Sequence, residues 1–357
     1  AASTETAENG ESTPNVAAST ETAENGESTP NVAASTETAE NNGSAPIASQ
    51  GPVTPRSEPL EVWVYETPFL HTVSSQAING MYNKIVENVV GKVKGNSYGD
   101  NWFGISTNLN DAIGFKNIEG SVKNQYVSVN VGSVIGEFDN NSTSIFLNFL
   151  GNNLKYNSNI IGDVNMSQNG ISFGVLNNTI LCDGLMFVDA SASAGVIRNK
   201  VKKVDKSNHF VGIDNIESFN TGIFNLSVIN GFKIKLNDVL NIEPSIFASF
   251  NILKNRSEKA HNFINIIPTL RVNTEIIDSW KFGIVLKNVN IISNSSFGEL
   301  IFVNGHSIEK FKNKSSFEFG LDIEKRMLDN QLSIYGGLNY GTSASKFNFN
   351  VGFKFNF

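Results

Sequence analysis

Beyond Trp102 the chain is written in a two-residue rhythm of apolar and polar positions. In YVSVNVGSVIG (126–136), Val127, Val129, Val131 and Ile135 share one face. In GIFNLSVINGFKIKL (222–236), Phe224, Leu226, Val228, Phe232, Ile234 and Leu236 oppose Asn225, Ser227, Gly231, Lys233 and Lys235. In 239–253, Leu240, Ile242, Pro244, Ile246, Ala248 and Phe250 oppose Asn241, Glu243, Ser245, Ser249 and Asn251. SWKFGIVLK, SFEFGLDIEK and QLSIYGGLNYG repeat the theme. Alternation of this kind predicts β-strands with unlike faces. With weaker segments near 102–109, 143–151, 170–178, 184–197 and 263–273, about twelve strands are expected, divided by clusters of Asn, Ser, Gly and Asp.

The last such segment, KFNFNVGFKFNF, sets Phe347, Phe349, Val351, Phe353, Phe355 and Phe357 against Asn348, Asn350, Gly352, Lys354 and Asn356. A strand so apolar on one side is an aggregation template unless it is paired and covered. Across the strands, the off-stripe positions collect Asp189, Glu243, Arg271, Lys281, Glu318 and Asp322. A Lys or Arg facing lipid at mid-membrane costs about 2–4 kcal/mol. The charged face is therefore expected to line a lumen and the apolar stripe to meet lipid, and a slip of one residue would reverse both. The expected fold is all-β, an antiparallel transmembrane β-barrel of about twelve strands. A soluble β-sandwich alternates too, but its edge strands carry polar protection that this last segment lacks. Pro244 and Pro268 fall mid-strand, where each removes one ladder donor; the pattern alone does not say how their neighbours accommodate that.

Ahead of the strands the period changes. Val73, Ala77, Met81, Ile85, Val89 and Val93 recur four apart, the stripe of an α-helix. Thr67 as N-cap, Pro68 at the first helical position and Gly95 as C-cap predict a helix over Pro68–Lys94. At about 1.5 Å per residue it spans roughly 40 Å, enough to cross a hydrocarbon core of about 30 Å. Asn79, Asn83, Lys84, Glu87, Asn88 and Lys92 occupy its other faces, so it can cross only inside a polar interior. The alternative is a surface helix on a soluble core.

Composition changes the picture at the N-terminus. AASTETAENGESTPNV fills 1–16, recurs unchanged at 17–32 and begins again at Ala33. With Val16 its one sizeable apolar residue, the unit has no face to bury against a neighbour, so 1–58 is expected to be an extended, disordered repeat segment. The net charge is −7, yet residues 1–50 hold eight glutamates and no other charged side chain. The remainder is thus near neutral, without the basic face that nucleic-acid binding requires. Cys182 is the sole cysteine, which leaves neither an intrachain disulfide nor a cysteine metal cluster. The sequence opens inside a repeat without Met, which reads as a fragment or processed product.

Disordered segment, polar helix, then about twelve alternating strands ending on Phe: this order resembles the C-terminal translocator unit of monomeric autotransporters (type Va secretion). LMFVDASASAG, with Asp189, is similar to that family's fifth strand, LNIEPSIFASF to its strand with an acidic residue before Pro, and LSIYGGLNYGTSASKFNFNVGFKFNF to its final hairpin. The resemblance covers about residues 60–357. It implies 1–58 as passenger end or tether, 59–99 as linker and lumen-spanning helix, and 100–357 as the barrel. It further implies an outer-membrane location with the N-terminal segment outside, export of the chain's own passenger, and a monomer. The implied partners are outer-membrane lipid, periplasmic chaperones and the barrel-assembly machinery, the last reading Phe349, Val351, Phe353, Phe355 and Phe357 as an insertion signal. Lumen charges at Asp189, Glu243 and Arg271 are expected to meet Lys84, Lys92 or Glu87 of the helix.

Enzymatic chemistry is not expected. The four histidines are dispersed, His71 in the helix and the others in expected loops, and no GxSxG or paired-acid motif accompanies them. Some autotransporters cut themselves at paired asparagines in the helix; Asn79, Asn83 and Asn88 are unpaired, and Asn41–Asn42 lie too far upstream. No cofactor or metal is expected. The alternatives kept are a surface adhesin or antigen anchored by the barrel, and a general porin-like channel.

Overall fold

The computed structural model describes Val62–Val93 and most of 100–355; residues 1–61, 94–99, 356–357 and parts of several connections lie outside the described residues. The chain divides into two units after Ser57, and only the second is described. The expected disordered repeat segment and Phe357 therefore fall outside the described residues.

Twelve antiparallel strands close on themselves. They are β1 (Asn101–Asn108), β2 (Ser121–Phe138), β3 (Asn141–Asn157), β4 (Val164–Leu181), β5 (Met186–Val204) and β6 (Ser218–Phe232). The second half comprises β7 (Leu240–Asn255), β8 (His261–Glu275), β9 (Trp280–Ser293), β10 (Ser316–Met327), β11 (Leu332–Gly341) and β12 (Asn348–Phe355). Each pairs with its neighbour in sequence, and β12 pairs with β1 from Asn348–Asn108 to Phe355–Asn101. Closure satisfies every edge, which is what makes a sheet tolerable in hydrocarbon.

The alternation sets the two surfaces. Outward, Val127, Phe149, Phe173, Leu226, Ile246, Leu286, Phe319, Tyr340 and Phe349 are all more than a third exposed, forming the apolar belt of a membrane-spanning barrel. Inward, Asn124, Asn148, Gln168, Asp189, Asn225, Glu243, Asn251 and Asn265 are buried. Short turns at 139–140, 182–185 and 276–279 join strands at one end, and the longer connections 109–120, 205–217 and 294–315 at the other.

The two prolines sit where the ladder has a gap. Pro268 pairs with Ile246 across β7–β8, while on its β9 side the ladder skips two positions between Ile266–Asn290 and Thr269–Lys287 with no change of register. Pro244 pairs with Leu270, and on its β6 side pairing stops between Ile242–Ile234 and Ser245–Gly231. Each gap is what a residue without an N–H leaves in a ladder whose register is otherwise unbroken.

The helix α1 runs Glu66–Val93, opening two residues before the expected Pro68 and ending one before Lys94. Pro68 is tolerated because first-turn N–H groups have no intrahelical acceptor. Every residue from Phe69 to Asn83 is buried. That is too enclosed for a surface helix, so α1 fills the lumen.

Candidate functional site in the barrel lumen

The interior is a packed core with a polar framework, more apolar than the polar interior the sequence predicts. Ile78, Met81, Tyr82, Ile85, Val86 and Val89 of α1 pack with Trp102, Tyr126, Phe146, Leu176, Phe247 and Phe263 of the wall in one buried cluster. Phe247 lies between inward Ser245 and Ser249 on a face read as polar. The physical reason is space: a rod of about 10–12 Å with its side chains leaves a barrel of this size little room for water, so the wall supplies apolar surface opposite the helix's apolar stripe.

Several of the helix's polar positions meet matching groups on the wall. Nearest its N-terminus, Ser74 Oγ donates to Asn199 Oδ1 of β5 at 2.7 Å and accepts from Gln168 Nε2 of β4 at 3.0 Å. Gln168 in turn accepts from Asn152 Nδ2 of β3 at 2.6 Å. One turn further, Asn251 Nδ2 of β7 donates to Asn79 Oδ1 at 2.7 Å and to Asn83 Oδ1 at 2.8 Å. Asn79 Nδ2 donates to Asn265 Oδ1 of β8 at 3.1 Å, and Ser249 Oγ to Asn83 Oδ1 at 2.7 Å. The Tyr82 hydroxyl lies 2.8 Å from Ser193 Oγ of β5. Buried amides are costly unless paired, so these matched groups specify one height and one rotation of the helix.

The C-terminal half carries charge. Glu87 sits 2.7 Å from Lys287 of β9, and Lys84 sits 3.3 Å from Glu318 of β10. Lys287 and Glu318 are register partners across β9–β10, and Lys84 and Glu87 lie one turn apart on α1. The two ion pairs thus lie side by side with their signs alternating. Beside them a cavity of about 20 Å³ is lined by Glu87, Asn88, Arg271, Lys287 and Asp322, room for about one water.

The expected helix contacts thus divide. Lys84 and Glu87 do meet lumen charges, but their partners are Glu318 and Lys287. Glu243 pairs with Arg271 at 3.9 Å, and Arg271 Nε lies 3.4 Å from Asp322, all within the wall. Asp189 accepts from Asn178 of β4. Lys92 has no described side chain. Glu318 lies on the charged face read from the sequence, and Lys287 shares the face of Lys281 by alternation, but alternation assigns a face and no level, so it could not select them. His261 is also corrected: it opens β8 and is buried, whereas a loop was expected.

The strand expected as an insertion signal closes the ring. Phe349 and Phe355 are exposed on the belt, Val351 and Phe353 half-exposed, and the Phe353 and Phe355 rings stack at 6.5 Å. Inward, Lys354 pairs with Asp100 at 3.4 Å, and Gly352 lies opposite Gly104. Tyr335 of β11 lies over both: a Cβ on Gly352 would come 2.3 Å from its ring, and one on Gly104 3.0 Å from its hydroxyl.

At the long-connection end, Val62–Tyr65 pairs antiparallel with Ile301–Val303 and parallel with Phe210–Val211. Those two strands belong to the β9–β10 and β5–β6 connections, so the chain is held at that mouth before it enters α1. The helix then runs toward the opposite mouth, where β1 begins, and Asn88 Nδ2 donates to Ser106 Oγ of β1 at 3.3 Å.

No protein-family model matches the sequence, and no curated protein is similar to it. Among solved structures, the translocator domain of the autotransporter NalP from Neisseria meningitidis matches with a TM-score of 0.58 at 14% identity, over 80% of this chain and 98% of that one. The transport unit of the autotransporter AIDA-I from Escherichia coli matches with a TM-score of 0.57 at 12% identity, over 79% and 99%. The β domain of the Bordetella autotransporter BrkA matches with a TM-score of 0.54 at 12% identity, over 73% and 100%. The likeness is one of fold: a closed twelve-stranded barrel with one helix, as in type Va translocators.

Proposed function

We propose that residues 58–357 act as the translocator of a type Va autotransporter, a barrel in the bacterial outer membrane that delivers its own N-terminal segment to the cell surface. One observation carries this reading: α1 threads a closed barrel, so whatever precedes Val62 leaves by the mouth with the long connections, while β1 starts at the mouth with the short turns. In outer-membrane barrels the short turns are periplasmic and the longer loops extracellular. Such threading is the arrangement that export of the N-terminal segment through the barrel would leave behind. The acidic repeats are then the surface-exposed tether or passenger end, and the work is done without catalytic chemistry. Periplasmic chaperones, the barrel-assembly machinery acting on β12, and a monomeric state belong to the same proposal. A porin-like channel fits poorly with a lumen packed around a helix.

Protease added to intact Gram-negative cells expressing the chain tests it. Residues 1–58 should be removed while 100–357 stays membrane-embedded and heat-modifiable on a gel. Repeats that stay protected until the outer membrane is opened would defeat the export reading.

A further inference from the structure

The outer wall of β2–β5 carries a basic, amide-rich surface directly above the apolar belt, on the long-connection side. On β3–β5 the belt's upper row is Phe149, Ile171 and Val196, successive register partners, while on β2 it reaches one row higher, from Val129 opposite Phe149 to Val127. Outward rows then follow about 7 Å apart along the strands. The first contains Asn169 opposite Arg198, and the next Asn153, Ser167 and Lys200 in register. The third sets Lys123 directly opposite Lys155. Lys123, Lys155, Arg198, Lys200 and Lys202 are all exposed. Lys202 Nζ donates to Asn153 Oδ1 at 3.0 Å. No ion pair joins the other four to a described carboxylate. Asp163 accepts from Asn157, and Glu217 is exposed nearby. At the other end of the same strands the charges are Glu137, Asp139 and Asp183.

Two lysines facing each other across a strand pair repel, an arrangement that a bridging anion relieves. Phosphate is the anion that such cations hold best, and the intervening Asn and Ser groups suit sugar hydroxyls. The depth decides the class of ligand. With strands tilted by about 40°, the three rows rise roughly 5, 10 and 15 Å above the hydrocarbon. A phospholipid headgroup layer is only about 5–7 Å deep, so cations at the third row need a taller anionic headgroup. We propose that this rim binds the headgroup of a phosphorylated glycolipid in the surrounding leaflet, with sugar on the amides and phosphates on Arg198, Lys200, Lys123 and Lys155. The chain's own acidic repeats are less suited, because the cations lie on the lipid-facing wall, continuous with the belt.

The inference rests on the membrane orientation proposed above. Its test uses the full chain purified from an outer membrane and assayed for bound bisphosphorylated lipid A by native mass spectrometry, then titrated with that lipid, its dephosphorylated form, and inorganic phosphate. Wild type should retain the bisphosphorylated lipid and bind it at least about tenfold more tightly than the dephosphorylated form. Lys123→Gln/Lys155→Gln/Lys200→Gln should lose that preference, whereas Lys233→Gln/Lys235→Gln at the opposite end should keep it. Equal retention by the triple variant and wild type, no discrimination between the two lipids, or displacement by inorganic phosphate alone would each overturn the proposal. Heat-modifiability and surface exposure of the repeats are read in parallel. If those fail, the export reading has failed; if they hold while lipid discrimination does not, only the rim assignment has.

Discussion

Glu87 of the plug helix and Lys287 of β9 meet at 2.7 Å, with side chains only 14% and 9% exposed. Removing one member of a buried pair leaves an uncompensated charge and typically costs about 3–5 kcal/mol, whereas replacing both with apolar groups is often near neutral. Lys287→Met should therefore lower the urea midpoint of the barrel markedly, and Glu87→Leu/Lys287→Met should recover most of the loss. The double variant leaves the Lys84–Glu318 pair in place. Equal destabilisation by the single and double variants would mean that Glu87 and Lys287 do not form this buried pair.

At the β12–β1 seam, Gly352 and Gly104 leave the space that Tyr335 occupies. Gly352→Val should overpack the seam at a cost of about 1–3 kcal/mol and lower the yield of folded, heat-modifiable barrel. Tyr335→Ala should relieve it in the double variant, which a double-mutant cycle would register as coupling. Additive effects would show that the ring does not lie over the glycine.

Val175 is 42% exposed on the belt of β4, two rows in from Ile171. Val175→Lys should cost about 2–4 kcal/mol if that face meets hydrocarbon near its midplane, while Val175→Leu should change little. Folding free energies in vesicles measure both. A neutral Lys there would indicate water where lipid is expected.

At the mouth, Val62 pairs with Val303 and Trp63 with Phe302. Antiparallel partners lie about 4.5–5.5 Å apart at Cα, within disulfide reach. In a Cys182→Ser background, since Cys182 is exposed, Val62→Cys/Val303→Cys or Trp63→Cys/Phe302→Cys should cross-link on oxidation in whole cells, read as a mobility shift without reductant. Failure of both pairs would remove the mouth sheet as a feature of the membrane-inserted protein.

Much of this architecture was legible because its signals are local. Alternation in β6, β7, β9 and β10 assigned each side chain a face from its immediate neighbours, and the cost of charge in lipid then decided which face was outside. The helix was legible from a four-residue spacing, although the packed interior at Phe146, Phe247 and Phe263 was not. Those residues look like interruptions of a polar face until something apolar stands opposite them.

What the amino-acid order determined by itself is the set of strands, the two surfaces of the wall, and a helix too polar for lipid. Only the tertiary structure decided that Lys84 meets Glu318, that Asn79 and Asn83 share Asn251, and that Pro268 leaves its gap in the ladder with β9. Strand stagger and the depth of the helix set which residues share a level. Both are sums over the whole closed ring, so no window of sequence contains them.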